Sequence, residues 1–293
     1  MTISAAQVKE LRERTGLGMM ECKGALTETK GDMNAAIDLL RKKAGSKVEK
    51  KAGRTASEGA IGVYAGPDRK QAVMVEVNSE TDFVAKGDDF QAFANAVAAA
   101  IAKHKPADVN AVADIKLESG ETVAKTREGL VSKLGENIGV RRFVRLAVAT
   151  GKVASYVHGR KIGVLVEMNG GDETLGRDIA MHIAASRPEC VSRDQVSAEL
   201  IAKEKEIAIA QATAEGKPVE IIEKMVSGRI NKYLSEITLL GQPFVKDDKT
   251  TIEKLLKKTN ARVVTFTRYE VGEGIKKKSD DFAAEVMAQV KGG

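Results

Sequence analysis

Gly59-Ala60-Ile61-Gly62-Val63-Tyr64, then Gly66-Pro67-Asp68-Arg69, then Gln71-Ala72-Val73-Met74-Val75-Glu76-Val77 is a strand, a turn and a strand. The flanking segments are apolar and Val-rich, and Gly-Pro-Asp-Arg between them is turn chemistry, so the three together predict a β-hairpin. Asn78-Ser79-Glu80-Thr81 ends it, and an Ala-rich helix follows with Phe90, Phe93, Ala94, Val97 and Ile101 on one face. The same order returns later in the chain. Val153 to Val157, His158-Gly159-Arg160 and Ile162 to Met168 form a second hairpin, and Val166-Glu167-Met168-Asn169 echoes Val75-Glu76-Val77-Asn78. A helix through Ile179, His182 and Ile183 follows it. Two hairpin-plus-helix units predict a duplicated α+β core with antiparallel sheets. Ala261 to Glu270 reads as a late strand that completes the second sheet.

On the N-terminal side, residues 4–45 read as three short helices. Ser4 with Gln7 is a capping-box pattern, Val8 and Leu11 share a face, and Thr15-Gly16 ends the helix. Gly18 leads into Met19, Met20, Cys22, Ala25 and Leu26; Lys30-Gly31-Asp32 is a stop and a new cap; Ala35, Ala36, Leu39 and Leu40 recur at helical spacing. A module this small has a marginal core of its own, and such modules usually bind something. Residues 46–58 read as a basic linker. Arg41, Lys42, Lys43, Lys47, Lys50, Lys51 and Arg54 face Glu49 alone, which matches the whole net charge of +6. Such a run suits nucleic acid phosphates, an acidic protein surface or a solvated linker, and the last two are favoured.

Between the second helix and the late strand lies a helical insertion at 188–235. Ser192 is its candidate cap, Val196, Leu200, Ile207 and Ile209 are its first apolar residues, and Gly216-Lys217-Pro218 is a stop and restart. Ile221, Ile222, Met225, Val226, Ile230 and Leu234 follow, so the insertion reads as an antiparallel helical hairpin. Ser279-Asp280-Asp281 then precedes Phe282, Val286 and Val290, the stripe of a C-terminal helix. The expected domains are 1–45, the linker 46–58, a first core unit 59–142, a second core unit 143–275 carrying the insertion, and a C-terminal helix module 276–293.

Composition narrows the function. The chain has 293 residues, enough for roughly two domains, with 43% apolar and 30% charged residues. Aromatics are 4% with no Trp, which argues against a binder that stacks many bases. No apolar run approaches the length of a membrane span, and Met1-Thr2-Ile3-Ser4 lacks a charged-then-apolar leader, so a cytoplasmic protein is expected. No P-loop and no Gly-x-Gly-x-x-Gly after a strand is present. His104, His158 and His182 lack metal-ligand spacing, and Cys22 and Cys190 make no disulfide framework. His182 and Cys22 read as packed core groups rather than catalytic ones. A binding protein without covalent chemistry, cofactor or metal is therefore expected. The runners-up are a nucleic-acid scaffold using residues 41–54 and, least supported, a small-molecule enzyme using Cys22 or His182.

Thr81-Asp82-Phe83-Val84-Ala85-Lys86 follows the first hairpin, and two readings of it stand. Thr81 caps a one-turn helix, Asp82 suits its N-terminus and Phe83 tucks into the core; or Phe83 projects as an anchor for a partner's pocket, with Asp82 beside it.

The chain resembles the bacterial elongation factor Ts family. The resemblance is carried by Glu10-Leu11-Arg12-Glu13-Arg14-Thr15-Gly16, Met19-Met20-Glu21-Cys22-Lys23, Thr81-Asp82-Phe83-Val84-Ala85-Lys86, Gly135-Glu136-Asn137-Ile138, Gly241-Gln242-Pro243-Phe244 and Gly272-Glu273-Gly274-Ile275, in the family's order over nearly the whole chain. It implies a guanine nucleotide exchange factor for elongation factor Tu that hydrolyses no nucleotide. It implies that the N-terminal module is ubiquitin-associated-like and contacts Tu through Arg12, Met19, Met20 and Lys23. It implies that Thr81, Asp82, Phe83 and Val84 form the loop that dislodges the partner's magnesium, with Phe83 as the wedge. His158 and Phe282 are further expected contacts, and the helical hairpin is similar to the family's coiled-coil module, with pairing of complexes through it left open. No direct nucleic acid or membrane contact is implied. The sequence departs from the family at Ser79, where cysteine is common, and at Gly24, where lysine is common.

Overall fold

Ser4 accepts a hydrogen bond from the Gln7 backbone N–H at 3.3 Å, and the Gln7 side chain accepts one from the Ser4 N–H at 3.0 Å. This capping box starts α1 (Ala5–Thr15), and Gly16, in the left-handed region at φ 69°, ends it. The computed structural model describes residues 3–214 and 218–276, the side chains of residues 46, 47, 219 and 220 apart. After α2 (Met19–Glu28), Asp32 caps α3 (Met33–Lys51) by accepting from the Ala35 N–H at 2.9 Å. Val8, Leu11, Leu17, Cys22, Leu26, Ala36 and Leu40 bury into one small core.

The expected linker is corrected here, because α3 does not stop at residue 45 but runs on to Lys51. Half-buried Val48 packs on the next core. Arg41 lies 3.9 Å from Glu121, and the Lys51 ammonium donates to the Gly135 carbonyl. Much of the basic run is thus a helix that docks the module onto the body of the protein.

β1 (Glu58–Ala65) and β2 (Gln71–Ser79) form the first hairpin, followed by α4 (Asp82–Lys86), α5 (Asp88–His104), α6 (Val123–Leu134) and β3 (Gly139–Ala147). The sheet order is β1-β2-β3, with both pairs antiparallel. Alternation sorts the side chains to two faces. Ala60, Val73, Val75 and Val77 face α5, while Ile61, Ala72 and Met74 face the second sheet. Gly62 lets α5 close on β1: a Cβ there would sit 2.3 Å from the Ala94 carbonyl oxygen. The expected boundary at 142/143 falls inside β3, which stays paired with β2 through Ala147, so the first unit extends at least that far.

The second unit repeats the plan. β4 (Lys152–His158), β5 (Ile162–Asn169) and α7 (Glu173–Ser186) come first. α8 (Ala198–Ala214) and α9 (Val219–Ile237) follow, then β6 (Pro243–Phe244), β7 (Asp247–Thr251), α10 (Ile252–Lys258) and β8 (Arg262–Glu270). The order β4-β5-β8 mirrors the first sheet. Val164, Val166 and Met168 pack on α7, and Val153 and Leu165 meet Ile61 and Met74. The two sheets therefore lie face to face with a helix on each outer side. α8 and α9 pack on one another through buried Ala208, Ala212, Val226 and Leu234. Ser197, not Ser192, caps α8, because the Leu200 N–H donates to its hydroxyl at 3.2 Å and residues 193–195 first make a turn of 3₁₀ helix. Pro218 precedes α9, and Gly216-Lys217 lies outside the described residues, as does the expected C-terminal helix with Phe282, Val286 and Val290.

One charged group is sealed between the units. Glu76 of β2 is fully buried, and its carboxylate accepts from Arg141 at 2.9 Å, Arg142 at 2.6 Å, the Asn78 amide at 3.1 Å and the Gly272 N–H at 2.9 Å. Arg142 also reaches Glu273 at 3.1 Å and lies 4.1 Å from the Tyr269 ring centroid. Burial alone would raise the Glu76 pKa, but the Gly272 amide, the two guanidiniums and Asn78 outweigh it and hold the carboxyl below its ordinary 4.5. The motif Gly272-Glu273-Gly274-Ile275 is in this way tied to the first sheet.

Candidate protein-binding site

β2 exits into Glu80-Thr81, and the Thr81 hydroxyl caps α4 by accepting from the Val84 N–H at 3.4 Å. The one-turn helix of the first reading is therefore present, but Phe83 is not in the core. Ala85 is buried and Val84 packs partly against the first core. Residues two apart on a helix point about 200° apart, so seating Ala85 inward turns Phe83 outward. Phe83 is 83% exposed, the most exposed of the large apolar side chains among the described residues. The Lys86 ammonium donates to Asp82 at 2.6 Å and lies 5.9 Å from the Phe83 ring centroid. The Lys86 hydrogen bond, with the charges of Lys86 and Lys161, holds the Asp82 carboxyl below its ordinary range. Asp82 is thus ionised beside an exposed ring.

The loop is held from behind by residues that sequence reasoning gave no role. Glu136 accepts from the Glu80 and Thr81 N–H groups, both at 3.0 Å, and from the Thr81 hydroxyl at 2.5 Å. Glu80 in turn accepts from the Asn137 N–H at 2.7 Å and lies 3.5 Å from Arg54. The Ser79 hydroxyl donates to the Thr81 carbonyl at 2.9 Å, so the serine that departs from the family's common cysteine serves the loop locally. On the far side, the Arg160 guanidinium donates to the Lys86 carbonyl at 3.2 Å, and the Ile61 N–H donates to the Arg160 carbonyl at 2.8 Å. The turn between β4 and β5 therefore braces α4. His158 opens that turn; it is exposed, and its Nδ1 lies 3.1 Å from the Tyr156 hydroxyl.

A second surface lies on the N-terminal module. Arg12 of α1 and Met19, Met20 and Lys23 of α2 line one cleft of about 530 Å³ together with Val8 and Lys9. Met19 is 59% and Met20 74% exposed. Flexible thioethers ringed by Lys9, Arg12 and Lys23 make an adaptable apolar floor with a cationic rim, suited to a partner surface that is apolar at its centre and acidic at its edge. Gly24 of α2 faces open space, since an added Cβ there would meet nothing within 4 Å. The four expected residues come together here; Phe282 lies outside the described residues.

The two groups set aside as core are core. His182 is fully buried, its Nδ1 accepts from the Val245 N–H at 3.2 Å and its Nε2 faces the Gln242 carbonyl oxygen at 3.0 Å, so the ring is neutral with its proton on Nε2. Burial pushes its pKa below the ordinary value. The Cys22 thiol is buried and points at the Leu17 carbonyl, 3.9 Å away. Among the described residues no helix is long and apolar enough to cross a membrane.

A family model described as "Elongation factor TS" matches residues 80–273. Curated relatives match over the full chain. "Elongation factor Ts" of Thioalkalivibrio sulfidiphilus is 59% identical over 293 residues, covering 100% of both chains. That of Methylococcus capsulatus is 58% identical over 291 residues, covering 99% of both, and that of Alcanivorax borkumensis is 55% identical over 285 residues, covering 97% of this chain and 100% of its own.

Proposed function

The chain belongs to the elongation factor Ts family, and from that premise we propose that it promotes GDP release from elongation factor Tu by disturbing the partner's magnesium and phosphate site. The observation that carries this reading is Phe83, a large ring exposed at the tip of a braced one-turn helix with ionised Asp82 beside it. Magnesium bridges nucleotide phosphate oxygens to protein ligands and so holds GDP. A factor that binds the nucleotide-free partner more tightly than the GDP-bound one must weaken GDP binding by the same factor. No bond is made or broken in that scheme, so the factor needs a rigid platform and a projecting wedge rather than a catalytic group.

The roles divide by surface. Thr81 and Val84 set the wedge, Phe83 inserts between elements near the nucleotide, and Asp82 perturbs the metal site. Arg12, Met19, Met20 and Lys23 grip the GTP-binding domain through the N-terminal module. His158 adds a contact from the second unit, and Phe282 adds one from the C-terminal module. The arm of α8 and α9 carries exposed Ile207, Ile209 and Ile221, which supports pairing of two complexes through it. A cytoplasmic site of action follows from the partner. The test is release of fluorescent GDP from loaded elongation factor Tu on adding a small fraction of an equivalent of this protein. Acceleration with turnover is expected; release at the intrinsic rate would overturn the reading.

A further inference from the structure

We propose that Glu136, with Glu80 as its reciprocal partner, is a positioning residue that fixes the attitude of Phe83 toward the GTPase, an inference that rests on the exchange reading above. Neither acid touches Phe83. Glu136 sits one residue past Gly135, whose left-handed backbone at φ 80° ends α6 and turns the chain back toward the end of β2. From there its carboxylate gathers the two N–H groups of Glu80 and Thr81 and the Thr81 hydroxyl. Glu80 closes the loop in the other direction through the Asn137 N–H and Arg54, and the Asn137 amide donates to the Arg54 carbonyl at 2.8 Å.

The clamp reaches Phe83 through Thr81. Because Thr81 donates its hydroxyl proton to Glu136, a lone pair is left to accept from the Val84 N–H, so the same carboxylate that holds the backbone also sets the cap. α4 has five residues, far too few to hold a helix unaided. It therefore takes its direction from its cap, from buried Ala85 and from the Arg160 brace at its other end. Hydrogen bonds to a carboxylate are the strong kind. An anchor held in its bound attitude before encounter avoids the ordering cost that a loose loop meets on binding. The motif Gly135-Glu136-Asn137-Ile138 thus serves as the back plate of the wedge.

The test uses the full chain with Glu136→Ala, Phe83→Ala and the double variant. Amide hydrogen exchange of Glu80 and Thr81 is read in the free protein, and GDP release from loaded elongation factor Tu is read in parallel. Glu136→Ala is expected to speed exchange of those two amides and to slow GDP release on the order of tenfold. Added to Phe83→Ala, it should slow release by no more than about twofold further, because both act through one ring. Glu136→Gln keeps an oxygen for the two N–H groups and should recover most of the rate. If Glu136→Ala does not fold, Thr81→Val, which replaces the hydroxyl with a methyl group of similar size, takes its place with the same expectations for release and for the double variant. Unchanged amide exchange in Glu136→Ala, wild-type release by that variant, or full additivity with Phe83→Ala would each overturn this inference alone. Wild-type protein that leaves GDP release unchanged would overturn the exchange reading, and this inference with it.

Discussion

Glu76→Gln keeps the shape of the side chain and deletes its charge at a carboxylate sealed between the two units. Breaking a buried ion pair costs about 3–5 kcal/mol when the remaining charge has no other outlet. Here the outlet is partial. The side chains of Arg141 and Arg142 each keep 29% exposure, and Arg142 still has Glu273 and the face of Tyr269. The glutamine oxygen also still accepts from the Gly272 N–H. The loss is therefore put at about 2–3 kcal/mol, which at 2–4 °C per kcal/mol lowers the melting temperature by about 5–10 °C near neutral pH. The dependence on pH has a defined sign. The folded carboxyl titrates below 4.5, so its stabilisation is fully present above 4.5 and is lost as the pH falls through the folded value. The gap between wild type and variant should be constant above pH 4.5 and shrink in more acid solution. Thermal unfolding followed by circular dichroism across that range reads both. A melting shift under about 2 °C at neutral pH, or a gap that persists undiminished in acid, would refute the reasoning.

Three further outcomes follow from the packing. Burial holds the folded His182 below its ordinary 6.5, so the protein should lose stability as the pH falls from 6.5 through the folded value; His182→Gln should flatten that slope, and a variant with the wild-type slope would remove His182 as its source. Gly62→Ala places a Cβ 2.3 Å from the Ala94 carbonyl and must push α5 off β1, lowering stability by about 1–3 kcal/mol in denaturant titration; an unchanged midpoint would contradict the close packing of that pair. Cys22→Ser should cost about 1 kcal/mol and leave GDP release nearly intact, whereas complete loss of release with a normal melt would point to thiol chemistry.

The hairpins were legible because their turns and Val-rich strands stand out, and because the pattern occurs twice. β3 was not, for a physical reason: Arg141, Arg142 and Arg145 interrupt its apolar residues, and two of those cations lean on Glu76 of the neighbouring strand rather than on solvent. The reach of α3 to Lys51 was hidden by Gly45 and by a run of lysines that reads as solvated chain; what sustains it is packing of Val48 and of α3 on α6, the Arg41–Glu121 pair and the Lys51 bond to the Gly135 carbonyl, which no local pattern encodes. α6, β6, β7 and α10 fell between stronger signals. Of the candidate site, the one-turn helix at Thr81 was visible in order and spacing, whereas Arg12, Met19, Met20 and Lys23 were pointed out by the family resemblance alone. The direction of Phe83 was not, since it depends on Ala85 taking the inward place. Glu80, Glu136 and Arg160 were silent because their partners are distant in sequence.

The central claim is that an exposed ring, not a catalytic group, drives exchange. Phe83→Ala tests it most directly, with GDP release from elongation factor Tu and the melting curve measured on the same preparation. Since Phe83 is 83% exposed, its truncation should change stability by no more than about 0.5 kcal/mol. Loss of an interface anchor of about 2 kcal/mol should slow release on the order of thirtyfold. A folded variant that releases GDP at the wild-type rate would contradict the account.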